Sequence, residues 1–94
     1  MDDMSELIVF YLEGCPYCRN ARKAYEELIT ENDAYKNLPV KWVEESRNAA
    51  LADKYDYYRV PSIYCDDKKL YEASPSDSFD VIKTKIKAAM DAVM

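Results

Sequence analysis

The sequence predicts an α/β fold: a four-stranded mixed sheet, in the order βαβ, helix, β-hairpin and helix, with helices on both faces. Three features carry that prediction. Residues 7–12 are an unbroken apolar run, suited to a strand covered on both sides. Apolar residues at spacings of three, four and seven follow Pro16 and recur from Phe79, the mark of two amphipathic helices. Between Ser62 and Tyr71, two strand-like runs flank Asp66-Asp67-Lys68, which reads as a tight turn.

Taken in order, Leu7 to Leu12 is a central strand because no position in it is polar. From Pro16, the residues Ala21, Ala24, Tyr25, Leu28 and Ile29 trace a helix that ends in the polar stretch Thr30 to Asn37, with Pro39 as a stop. Val40 to Glu44 alternates, and Lys41 and Glu44 give it the charged character of an edge strand. Strand, helix and strand form a βαβ unit. Ser46 is placed to cap a second helix carrying Ala49, Ala52 and Tyr55, which Asp56-Tyr57-Tyr58 ends before Pro61. The hairpin follows, with strands Ser62 to Cys65 and Lys69 to Tyr71. Ser74-Pro75-Ser76-Asp77 then supplies an N-cap, a first-turn proline and an acid for a last helix. Its apolar face runs Phe79, Ile82, Ile86, Ala89 or Met90, and Val93, with Lys83, Lys85 and Lys87 as a solvated face.

Composition limits the function. Ninety-four residues fit a single domain, 1–94. Thirteen basic against 18 acidic residues give −5, so the general attraction for phosphate backbones is missing and no nucleic-acid partner is expected. Residues 1–6 are acidic where a secretory signal would be basic, and Leu7 to Leu12 is too short to span a bilayer. A soluble, cytoplasmic, monomeric protein without a membrane partner is the expectation. Three cysteines are too few, and odd in number, for a disulfide scaffold, while 49% hydrophobic residues supply a core.

Two of those cysteines stand at the strand-to-helix junction, in Gly14-Cys15-Pro16-Tyr17-Cys18. Gly14 is the only glycine, set where the backbone must turn. Cys15 falls at the helix N-cap, its sulfur expected to face the amides of Tyr17 and Cys18, where the helix dipole favours thiolate. Pro16 loses nothing at the first helical position. Cys18 lies one turn on, behind Cys15 and less exposed. A stable thiolate gains little as an attacker but much as a leaving group, so the pair suits reversible disulfide exchange. Cys15 would attack and Cys18 would resolve. A zinc site is not favoured, because four ligands are usual and the chain has no histidine and only Cys65 in reserve. Cys65 reads as a small buried hydrophobe.

The Cys15-Pro16-Tyr17-Cys18 tetrad after a hydrophobic strand, with Val60-Pro61 opening a later one, resembles the glutaredoxin family of the thioredoxin-like superfamily. The resemblance implies a thioredoxin-like fold, with Pro61 in the cis form facing the dithiol. It also implies that the backbone of Val60 pairs with a glutathione or peptide backbone like an added strand. Tyr17, exposed, would pack on substrate; Arg19, Arg22 and Arg59 could receive glycyl carboxylates, Arg59 being the better placed. The chain departs from the family where a Gly-Gly pair would precede the last helix, which here is Tyr71-Glu72; Ser76 and Asp77 could replace the contact to glutathione. The implied activity is reduction of protein or glutathione mixed disulfides, with disulfide-containing proteins or glutathione as partners. No tightly bound cofactor is needed, and glutathione is a candidate electron donor. Two alternatives stay open: a thioredoxin-like disulfide reductase that does not use glutathione, and a carrier of an iron–sulfur cluster held between two chains.

Overall fold

The computed structural model describes residues 6–94, so most of the acidic N-terminal segment lies outside the described residues. Four strands form one sheet in the order β2-β1-β3-β4. β1 (Leu7–Tyr11) is central, as its apolar composition predicts, with β2 (Val40–Glu44) parallel on one side and β3 (Ser62–Cys65) antiparallel on the other. β4 (Lys68–Glu72) completes the hairpin after a turn in which Asp66 takes φ 54°. The register sets Val9 between Trp42 and Ile63.

Alternation along β1 divides the core in two. Leu7 and Val9 face the layer formed by α1 (Pro16–Glu31) and α4 (Phe79–Ala92), where Ala21, Ala24, Leu28, Ile82, Ile86 and Met90 are buried. The small Ala21 and Ala24 let α1 approach the sheet closely. Phe10 faces the opposite side and packs with Val43 and Tyr64. Rings extend that second cluster: Tyr55 lies 4.8 Å from both Phe10 and Tyr64, and Tyr57 stacks on Phe10 at 5.1 Å. Each aromatic contact of this kind adds to simple area burial.

The long periodic elements follow the sequence, whereas the short ones do not. The polar stretch after α1 holds a second helix, α2 (Asp33–Lys36), because Asn32 caps the Ala34 amide at 3.0 Å and Tyr35 and Leu38 bury themselves. The helix expected from Ser46 divides into a 3₁₀ turn (Glu45–Arg47) and a short α3 (Ala49–Ala52). Glu44, not Ser46, caps the 3₁₀ turn, Asn48 stands at the start of α3, and Tyr55 leaves the helical path to join the ring cluster. Asp77 bonds the Ser74 amide at 3.0 Å and Ser74 accepts from the Asp77 amide at 2.9 Å, so Ser74–Asp77 is a turn and the cap of α4 is Ser78. Lys83 is not simply solvated; it bridges Glu27 and Glu31 of α1 at 2.9 and 2.8 Å.

Ile82 is fully buried beside Val81, which is 39% exposed. Truncating Ile82→Ala is expected to cost about 2–5 kcal/mol in a urea titration, and Val81→Ala within about 0.5 kcal/mol. Equal effects would contradict the face assigned to α4.

Candidate functional site: a dithiol at a helix start

The chain leaves β1 through Leu12 and Glu13 and turns at Gly14, whose φ of +83° is a conformation that side chains rarely adopt. A Cβ there would meet nothing within 4 Å, so the requirement is conformational rather than one of space. Cys15 is the N-cap of α1, half-exposed, with Pro16 at the first helical position. Its carbonyl accepts from the Arg19 amide at 2.9 Å. The expected hydrogen bonds from the Tyr17 and Cys18 amides to its sulfur do not form. The sulfur of Cys15 instead neighbours the thiol of Cys18.

Cys18 is only 4% exposed. Burial pushes its thiol up to about 12, opposed by the Leu12 amide that donates to its sulfur at 3.5 Å and reinforced by the adjacent Cys15. Both cysteines are free thiols. One is reachable from solvent, and the other is enclosed and holds its proton. Cys65, at the end of β3, is a half-buried thiol packed against the main core.

The Val60–Pro61 bond is cis, as the resemblance implies. Phe10 pairs with Ser62, the residue after Pro61, so the cis bond lies at the end of β1 from which the chain departs towards Cys15. Neither the amide nor the carbonyl of Val60 takes a hydrogen bond among the described residues. Arg59 precedes it with an exposed side chain, its carbonyl accepting from the Ser62 hydroxyl at 2.5 Å. Tyr17 is half-buried rather than exposed: its hydroxyl donates to the Pro75 carbonyl at 2.8 Å, tying the helix start to the segment before α4. Ser76 is exposed, its hydroxyl 3.1 Å from that of Ser74. The carboxylate of Asp77 accepts from the Tyr71 hydroxyl at 2.5 Å and from the Ser74 amide, which hold it below the usual range.

Two glutamates that periodicity does not single out organise the loops on either side. Glu44, read in the sequence with Lys41 as a charge that protects an edge strand, is 7% exposed. Its carboxylate accepts from the Ser46 hydroxyl (2.5 Å) and from the amides of Glu13 (3.0 Å), Ser46 (2.7 Å) and Arg47 (3.3 Å). Those donors, the Ser46 hydroxyl foremost and the Glu13 amide next, hold it down to about 2. Glu72 accepts from the amides of Tyr58 and Arg59, each at 2.8 Å, and from Lys69 at 2.7 Å. Burial works against its charge, but these donors win and keep the carboxyl below its ordinary range. No local pattern marks either glutamate, because the amides they accept from other segments lie 31 positions away for Glu44 and 14 and 13 away for Glu72.

Beside the dithiol, on the β2 side, an open groove of about 490 Å³ runs from Cys18 past Arg19 and Arg22 to Trp42 and Tyr11. The Arg22 guanidinium lies 4.9 Å over the Trp42 ring.

A parallel strand pair, an antiparallel hairpin, helices covering the sheet, a Cys-x-x-Cys helix start and a cis-proline together define a thioredoxin-like α/β fold. Solved structures that resemble it include the germline-specific thioredoxin Deadhead of Drosophila melanogaster, 16% identical with a TM-score of 0.68, covering 99% of this chain and 84% of that one. A mutant thioredoxin from Halobacterium salinarum is 25% identical with a TM-score of 0.59, covering 93% of this chain and 75% of that one. A malarial protein is 18% identical with a TM-score of 0.62, covering 92% and 97% respectively. Neither a protein-family model nor a curated protein sequence matches the chain.

Because the folded Glu44 carboxyl lies below its ordinary value of 4.5, its stabilisation is complete above that pH and is lost as pH falls towards about 2. The gap in urea midpoint between the wild type and Glu44→Gln is therefore expected to be full at pH 6 and to close between pH about 4.5 and about 2. A gap that does not change with pH would contradict the ionised role.

Proposed function

We propose that the protein is a thiol–disulfide oxidoreductase acting through Cys15 and Cys18 on disulfide-containing proteins. The observation that carries this reading is the contrast between the two sulfurs, a half-exposed thiol at the helix start and a 4% exposed thiol behind it. The Cys15 thiolate attacks one sulfur of the partner disulfide, forming a mixed disulfide and releasing the other partner sulfur as a thiolate that takes up a proton. Cys18 then loses its proton and attacks the Cys15 sulfur. The second partner thiol leaves, and a Cys15–Cys18 disulfide remains. Two electrons have passed to the partner. A raised Cys18 pKa delays the second step until the mixed disulfide has formed, which gives the partner time to dock. The open amide and carbonyl of Val60 beside β1 support pairing with the partner's backbone.

Two thiols of glutathione, oxidised to its disulfide, would restore the dithiol in the glutaredoxin-like form of this reading. In that form Tyr17, Arg59, Val60, Pro61, Ser76 and Asp77 surround the tripeptide. A second form, in which a reductase and not glutathione is the donor, is supported by Glu72 and Asp77. The Glu72 carboxylate occupies the two loop amides that an anionic donor could otherwise use, and Asp77 is engaged by Tyr71 and Ser74.

Turnover of a protein disulfide with glutathione and glutathione reductase, compared with thioredoxin reductase, separates the two forms. Cys15→Ser is expected to abolish turnover with either donor. Cys18→Ser should retain exchange with a glutathione mixed disulfide and lose protein disulfide reduction. Full activity of Cys15→Ser would overturn the reading.

A further inference from the structure

Cys18 has to part with its proton in the second step of the exchange, and it does so in an enclosed place. Once the mixed disulfide has formed, Cys15 is bonded to the partner and can neither share a proton with the Cys18 sulfur nor repel its charge. Among the described residues, the hydrogen-bond donor that remains is the Leu12 amide at 3.5 Å. The charged groups nearby give no help. Glu45, just beyond the end of β2, opposes ionisation of Cys18. Arg19 and Arg22, on the same helix, donate instead to the Gly14 carbonyl at 3.0 Å and to Glu26 at 3.1 Å, and Glu13 is paired with Arg47. Ionisation here therefore rests on the placing of one backbone N–H.

Leu12 lies one residue past β1, whose parallel ladder ends with Tyr11 opposite Glu44. Glu44 holds the chain on both sides of that residue: its backbone is in register with Tyr11, and its Oε2 accepts the Glu13 amide at 3.0 Å. The two carboxylate oxygens divide the work. Oε1 collects the Ser46 hydroxyl (2.5 Å), the Ser46 amide (2.7 Å) and the Arg47 amide (3.3 Å), whereas Oε2 takes only Glu13 among the described residues. Three donors of the 3₁₀ turn thus orient the group, leaving its other oxygen to the segment that carries Leu12. Arg47 closes the loop by reaching Glu13 Oε1 at 2.6 Å. The remaining tie is looser, the Leu12 carbonyl accepting from the Cys15 amide at 3.4 Å.

We propose that Glu44 is a positioning residue for the resolving step, holding Leu12 and Glu13 so that the Leu12 amide meets the Cys18 sulfur as it becomes a thiolate. This deepens the disulfide-exchange reading and rests on it. Cys18 gives its proton to solvent, its sulfur attacks the Cys15 sulfur, and the partner sulfur leaves with the electron pair of the broken bond. Charge and position predict opposite effects. A negative charge disfavours a second one beside it, so a Glu44 that acted through charge alone would, when neutralised, ease the ionisation of Cys18. A Glu44 that acts by holding Leu12 would, when neutralised, hinder it.

In Glu44→Gln the amide oxygen can serve the 3₁₀ turn, but the amide nitrogen, itself a donor, then confronts the Glu13 amide. The test mixes the reduced full-length protein, carrying Cys65→Ala so that only the pair reacts, with excess 4,4′-dithiodipyridine, an uncharged disulfide. Each attack releases one 4-thiopyridone, followed by absorbance. The phase whose rate grows with reagent concentration is attack by Cys15, and the phase independent of it is closure by Cys18. In Glu44→Gln the closing phase is expected to slow about tenfold, its pH profile running about one unit behind the wild type, while the attacking phase changes less than about twofold. Glu44→Asp keeps the charge but draws the oxygen back by about 1.5 Å, so its closing phase should slow at least about threefold. Ser46→Ala removes a donor from Oε1 and leaves Oε2 on Glu13; it should lower the urea midpoint without slowing closure, which separates positioning from a general loss of stability. Closure at the wild-type rate or faster in either Glu44 variant, or equally slowed in Ser46→Ala, would overturn the proposal and leave the dithiol reading standing. Absence of a closing phase from the protein with Glu44 intact would overturn both.

Discussion

Two carboxylates hold the working end of this molecule together. Glu44 is the last residue of β2 and Glu72 the last of β4, the two outer strands of the sheet. Each turns its side chain inward across the end of the sheet and accepts backbone amides from a loop that has no ladder to join: Glu13 in one case, Tyr58 and Arg59 in the other. Loop amides at a sheet end must find partners, and a side chain anchored on a rigid strand supplies them without fixing the loop into a strand. Both carboxyls are held in the ionised form by the donors around them, so the braces persist through neutral pH.

The difference between the two sulfurs follows from that frame. With Glu13 fixed to Glu44, Leu12 is positioned to donate to Cys18, and Ala21 and Ala24 let α1 settle against the sheet deeply enough to enclose the Cys18 sulfur. Cys15, one position before the helix, escapes that packing. An enclosed sulfur is costly to ionise and an open one can meet a partner, which is the division of labour that dithiol exchange needs. Tyr17 contributes from the side, its hydroxyl linking the helix start to Pro75 and so to the far end of the sheet.

The sequence made legible what depends on periodicity. The central β1 was legible from its unbroken apolar run, and the edge character of β2, the hairpin and the two long helices from alternation, turn residues and helical spacing. The cysteine pair was legible from its spacing at a strand-to-helix junction. What escaped reading depends on contacts between residues far apart or on competition among several local caps. The Glu44 bond to Glu13 spans 31 positions, and no local pattern announces it. Ser46 and Ser74 both look like helix caps, but the side chains that accept the free amides are those of Glu44, at the 3₁₀ turn, and Ser78, at α4. Tyr55 left its helix for a ring cluster assembled from three segments. The direction of the Cys15 sulfur was likewise invisible, because the N-cap position fixes the backbone and not the side-chain rotamer.

The central claim is that one thiol of the pair is open and the other is closed. Alkylation of the reduced protein with iodoacetamide across a range of pH, with each cysteine followed by peptide mass mapping, tests it most directly. Carbamidomethylation of Cys15 at neutral pH, with Cys18 unmodified until the protein is unfolded or the pH approaches about 12, is the predicted result. Equal rates at the two positions, or earlier modification of Cys18, would contradict the account.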